Sequence, residues 1–288
     1  MEPLARKLGA LSVPVCLLAA GCWFAYKDGG RFARISASVL GAFMVCAFGF
    51  GVVRGLDNAR ASQEIGKELK VIRDGLAADT SDTDVGPEAA QRHMKRTDEA
   101  VARLQASDNT KTQSFARVIQ SVTTVMRKPE LRLIEALETV SSERFMDVER
   151  MLASDDFAWQ RKAAQQYEIA AKGASASHAK LPGVVEAELQ YTGIDKQGAE
   201  QFMLGFKGSW QLSGRAYEAH LETAKSYGAL IDFIEKNRAG IQVLEDGSIS
   251  IQEPEIEAAY DQLVERAVAC DAKVQAAVDQ LNKSSAKR

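Results

Sequence analysis

Apolar residues fill positions 8–26 and 35–53 without one charged side chain, and only eight residues, 27–34, separate the two runs. Each run matches the ~20 residues a helix needs to cross ~30 Å of hydrocarbon. The pattern predicts a two-helix transmembrane hairpin over residues 1–54. Beyond it the apolar positions take up the three-and-four spacing of amphipathic helices. Ile65, Leu69, Ile72 and Leu76 make the first such stripe, read as a helical stalk over 55–80 that continues the second span.

Residues 80–87, TSDTDVGP, interrupt the pattern, and Pro87 suits the first turn of the next helix. Helices are expected at 88–105, with Met94, Val101 and Leu104 inward, and at 111–127, with Phe115, Val118, Ile119, Val122, Val125 and Met126. Pro129 is expected to open a separate helix whose stripe is Ile134, Leu137, Phe145, Val148 and Leu152. Ser154-Asp155-Asp156 reads as the N-cap of another, bearing Trp159, Tyr167 and Ile169. The small residues at 173–177 blur its end, and Pro182-Gly183 breaks the chain before a short helix near 184–189. The longest helical run, 196–237, presents Phe202, Phe206, Trp210, Tyr217, Leu221, Leu230, Ile231 and Ile234. Gly205, Gly208 and Gly214 interrupt it. Each costs about 1 kcal/mol against Ala in an exposed helix, so a kink or a close helix contact is expected there.

One stretch departs from helix. Residues 241–251 are two short β-type runs around Asp246-Gly247, a pair that supplies the positive φ angles of a tight hairpin turn. After Pro254 the residues Ile256, Tyr260, Leu263, Ala267, Cys270, Val274, Ala277 and Leu281 alternate by four and three. That is a coiled-coil-like heptad seam over 255–281, packed on a neighbouring helix or on a second copy of the chain. The fold class is therefore all-α: the transmembrane hairpin, then an elongated antiparallel helical bundle over 81–288 with one small β-hairpin.

The block from Leu230-Ile231-Asp232-Phe233-Ile234-Glu235 through Asp246-Gly247 to Tyr260-Asp261-Gln262-Leu263 resembles the end of a group of uncharacterised bacterial membrane-anchored helical proteins, several of them lipoproteins. The resemblance covers residues 230–263. It implies a helix, a small hairpin and a final helix, and brings no catalytic residue with it.

The 288 residues hold 36 Lys+Arg against 39 Asp+Glu, which leaves no clustered basic surface for nucleic acid. Near the membrane the charges set orientation. The outer flanks carry Arg6, Lys7, Arg54, Arg60, Lys67 and Lys70, the loop carries Lys27, Arg31 and Arg34, and six against three favours both ends inside. The expected location is a bacterial inner membrane, multi-pass, with the tail in the cytoplasm and a periplasmic tail as the alternative. A cleaved signal peptide led by Arg6 and Lys7 competes with the hairpin. So does lipidation: Leu18-Ala19-Ala20-Gly21-Cys22 resembles a lipobox, although Ala19 stands where Leu is usual. A second apolar run a dozen residues later favours the hairpin.

Candidate chemistry is sparse. His93, His178 and His220 lie in no HExxH pair, no CxxC or GxSxG exists, and no cofactor or metal site is expected. Glu218, His220 and Glu222 read as a solvated helix face, and paired carboxylates such as Asp155-Asp156 and Glu255/Glu257 as caps and surface. Phe202, Phe206, Trp210 and Tyr217 are the candidate partner or ligand surface, set against a plain core stripe. The expected function is a membrane-anchored, non-enzymatic protein-interaction or structural module, bound to lipid through 8–53 and to a second copy or a membrane protein. The alternative is a sensor or carrier whose bundle binds an apolar small molecule or lipid. A membrane hydrolase would need a nucleophile–base pair that the sequence does not display.

Overall fold

The computed structural model describes residues 59–81, 87–154, 157–192, 194, 196–245 and 247–286; the two apolar runs and Cys22 lie outside the described residues. The described chain is helical apart from one two-stranded antiparallel hairpin. Its helices are α1 (Ala59–Ser81), α2 (Pro87–Gln105), α3 (Thr110–Val140), α4 (Val148–Ser154), α5 (Ala158–His178), α6 (Leu181–Gln190), α7 (Lys196–Lys236) and α8 (Pro254–Ala286). The strands β1 (Ile241–Val243) and β2 (Ile249–Ile251) lie between α7 and α8. Among the described residues no helix is long and apolar enough to cross a membrane.

Each helix contributes its apolar stripe to one continuous core. Ile65, Leu69 and Ile72 of α1 are buried in it, so the segment expected to form a stalk is packed against α2 and α3. Polar pairs across the helix boundaries fix the directions. Arg103 pairs with Glu68 at 2.8 Å, setting the end of α2 beside the first half of α1. Arg127 pairs with Asp98 between α3 and α2, and Ser121 donates to Glu188 at 2.7 Å between α3 and α6. Arg161, at the start of α5, reaches Asp232 and Glu235 at the end of α7, and Lys273 of α8 meets Glu222 of α7. All of these contacts are antiparallel. The exposed ion pairs contribute at most about 1 kcal/mol each, so they mark the register and the apolar burial holds it.

Pro129 does not open a new helix. It sits inside α3, which runs unbroken from Thr110 to Val140. An interior proline removes one backbone hydrogen bond and costs about 3 kcal/mol. Phe115, Ile119, Val122 and Met126 before it, and Leu133, Ile134 and Leu137 after it, are all buried, and that continuous stripe outweighs the local cost. The expected stripe then splits: Phe145 lies in the link after α3, and Val148 and Leu152 belong to the short α4. The cap of α5 also differs. Phe157 occupies the N-cap position with no side-chain hydrogen bond, and Asp155 and Asp156 lie outside the described residues.

The small residues of α5 do not end it either; the helix continues through them to His178. Ala163, Ala164, Ala170, Ala171 and Ala174 are buried, which lets α7 approach closely. Gly214 of α7 completes the fit, because a Cβ there would stand 3.3 Å from His178 Cε1. Gly173, by contrast, is exposed, with open space where a Cβ would go. Gly173→Ala should therefore stabilise by up to about 1 kcal/mol through helix propensity. Gly214→Ala should lose about 1 kcal/mol net, the crowding outweighing the same gain. Urea denaturation of both variants checks the opposite signs.

At the hairpin, Ile241, Gln242 and Val243 pair with Ile251, Ser250 and Ile249. The loop is longer than a two-residue turn. The Leu244 N–H donates to the Ser248 carbonyl, the Gly247 N–H donates to the Leu244 carbonyl, and Gly247 (φ 80°) supplies the left-handed residue. Beyond it the heptad positions Ala267, Cys270, Val274 and Ala277 of α8 are buried, with Tyr260 stacked at a tilt on Phe233 of α7. α7 is the helix that packs along α8, and Ile256, Tyr260 and Leu263 stay partly exposed.

Candidate functional site

α7 is the axis of the candidate site. Its inward face alternates large rings with small polar groups: Ser209, Ser213, His220, Thr223 and Ser226 are buried among Phe202, Phe206, Tyr217 and Tyr227. Facing helices add Glu130 from α3, Tyr167 and His178 from α5, and Asp271 from α8. Two clusters result.

The first centres on His178. Its ring lies flat on Trp210, with centroids 5.7 Å apart and planes 5° apart, and is tilted against Tyr217 at 5.1 Å. Nε2 is 2.7 Å from Ser213 Oγ, and the Trp210 indole N–H donates to the His178 carbonyl at 3.1 Å. The Ser213 hydroxyl donates to the carbonyls of Ser209 and Trp210, at 3.0 and 3.1 Å. The direction of the hydrogen bond between His178 and Ser213 follows the tautomer of the ring. Burial holds the His178 pKa down to about 4, so the imidazole is neutral at neutral pH. One step further in, the Tyr217 hydroxyl donates to Glu130 Oε1 at 2.9 Å. Burial pushes the Glu130 carboxyl up to about 7, with the Tyr217 hydrogen bond pulling the other way, and drives the Tyr217 phenol well above its usual range.

The second cluster lies nearer the far end of α7. Tyr167 OH and His220 Nδ1 are 2.8 Å apart, with the rings edge to face. Burial brings the His220 pKa down to about 4 and pushes the Tyr167 phenol up. The Tyr227 hydroxyl donates to Asp271 Oδ2 at 2.9 Å, and burial raises that carboxyl to about 6. Phe145 joins the cluster, its ring centroid 5.4 Å from that of Tyr227 and 6.5 Å from that of Trp159, over whose ring the Arg144 guanidinium sits at 4.5 Å.

A serine hydroxyl 2.7 Å from an imidazole has the spacing of a nucleophile and its base. Here burial lowers the ring's pKa and makes it a poor base at neutral pH. Ser213 is fully buried and His178 is 4% exposed, so no substrate reaches either as they stand. What the arrangement does is fasten α5, α7, α3 and α8 by hydrogen bonds that are short, directional and shielded from water.

The four aromatics singled out in the sequence all sit on α7, with Phe202, Phe206 and Tyr217 buried and Trp210 half-buried. Tyr217 is tilted against His178 of α5 and donates to Glu130 of α3, and Trp210 stacks on His178, so these two are engaged within the chain. Glu218 and Glu222 are exposed as expected, but His220 is fully buried, because α5 covers the side of α7 that the glutamates avoid. Glu130, Ser213 and Asp271 were not singled out, Tyr167 was read only as part of a helix stripe, and His178 only as a histidine outside any motif. A signal existed for two of them: His178 continues the stripe Tyr167, Ala171, Ala174, and Glu130 falls between Met126 and Ile134 on the buried face of α3. A polar residue in a stripe slot is the mark of a buried hydrogen bond. Among the described residues no group of three His, Cys, Asp or Glu side chains could hold a metal ion. Comparison with protein-family models, with curated proteins and with solved structures finds no match for the chain.

Proposed function

We propose that this chain is a membrane-anchored, non-enzymatic helical module that acts by holding a second copy or another membrane protein. Two charge-free apolar runs, 8–26 and 35–53, support the anchor, and the six-to-three balance of basic flank residues favours the cytoplasmic side for the bundle. The observation that carries the non-enzymatic part is the Ser213–His178 pair. That pair, among the described residues, is buried and joins two helices, which supports a structural role for it.

The test is chemical crosslinking in intact membranes followed by mass measurement of the detergent-extracted complex. A species heavier than one chain, made of two copies or of this chain with a membrane protein, is the expected result. A lone monomer with no captured partner overturns the reading.

A further inference from the structure

The geometry points to one end of the bundle as a membrane-contacting face, with Tyr191 at its tip and the lipid headgroup layer as its partner. This rests on the proposed anchor and adds how the bundle stands on it. The argument begins with a covalent limit. Six steps of chain link Val53, the last residue of the second apolar run, to Ala59, the first residue of α1. At ~3.5 Å per residue they span at most ~20 Å, so the start of α1 cannot lie further than that from the end of the apolar run.

What else lies at that end follows from hydrogen bonds. Glu64, in the second turn of α1, accepts from Ser107 Oγ at 2.5 Å and from Thr112 Oγ1 at 3.0 Å. The connection between α2 and α3 is therefore level with the start of α1. Two residues further along α3, the Ser114 hydroxyl donates to the Thr192 carbonyl at 3.2 Å. That bond brings the connection between α6 and α7 to the same level, and the Thr192 hydroxyl secures it to the Leu189 carbonyl at 2.7 Å.

Tyr191 lies in this connection and is 75% exposed, the most exposed of the large hydrophobic side chains described. Leu204, about 12 Å along α7 at 1.5 Å per residue, is 64% exposed, and Lys196 beside the connection is exposed. An exposed tyrosine with a lysine near it, close to an apolar span, has the composition of the headgroup layer, where amphipathic rings settle. The hairpin marks the opposite pole. It follows the far end of α7, whose 41 residues measure about 60 Å.

The full-length protein is reconstituted into phosphatidylethanolamine–phosphatidylglycerol vesicles containing a phospholipid with a diazirine on its headgroup, floated, irradiated and digested with trypsin. Lipid adducts are expected on peptide 181–196, localised by fragmentation to Tyr191, at several times the yield on peptide 239–266, which holds the hairpin. If the protein floats but peptide 181–196 is labelled no more than peptide 239–266, this face is not the one on the bilayer and the inference fails while the anchor stands. If the protein does not float with the vesicles, the anchor fails and the inference with it.

Discussion

Replacing Glu130 by glutamine should stabilise the protein by an amount that grows from near zero at pH 4 to on the order of 3 kcal/mol at pH 8. The carboxyl titrates near 7 in the fold, against an ordinary value of 4.5. Between those values the folded state binds the extra proton, so this group's contribution to stability falls as pH rises through the window. Glutamine cannot ionise, and its carbonyl can still accept from Tyr217. Urea denaturation at pH 4, 6 and 8 reads the effect; a pH-independent difference between wild type and variant would mean that Glu130 is not buried as described.

The wild-type protein should hide that dependence. Asp271, raised to about 6, has the same sign as Glu130. His178 and His220, both lowered to about 4 from 6.5, have the opposite sign, losing stability as pH falls through 6.5 to 4. Two acids raised by similar amounts against two histidines lowered by similar amounts nearly cancel. A flat wild-type profile and a sloping variant are thus two halves of one result.

Phe145→Ala should be the most damaging single truncation in the second cluster, costing about 3–5 kcal/mol. Phe145 has no exposed surface and touches both Trp159 of α5 and Tyr227 of α7. Its backbone N–H is held by the Ser142 carbonyl at 3.0 Å, so the loop that carries it cannot easily collapse into the space left behind. In a chain of this size the loss corresponds to a fall in Tm of roughly 6–20 °C. Phe145→Leu, which keeps most of the volume, should cost less than half as much. Calorimetry on the pair separates lost volume from a general intolerance of the loop.

Helix positions along the chain were largely legible, because amphipathic spacing reports which face is covered. The errors share one origin. At Pro129, at the small residues of 173–177 and at the α5 cap, local propensity pointed to a break, and burial by α2, α6 and α7 held the helix together or moved its start. The Asp246-Gly247 signal located the hairpin and misjudged its loop by a small amount, since Gly247 alone fixes only one of the turn's angles. The site was much less legible. Tyr217 could be marked from its stripe, but its partner Glu130 lies 87 positions earlier, and His178 and Ser213 are 35 apart. Only the packing of α3, α5 and α7 brings them within reach of each other.

The Glu64 contact has a mechanical meaning. Its carboxylate joins α1 to Ser107 and Thr112 within two turns of the point where the chain enters the bundle. Tension arriving at Ala59 is therefore divided at once between α1 and the base of α3, instead of being carried along one rod to its tip. The bundle would yield as a block, tilting with whatever holds its first residue.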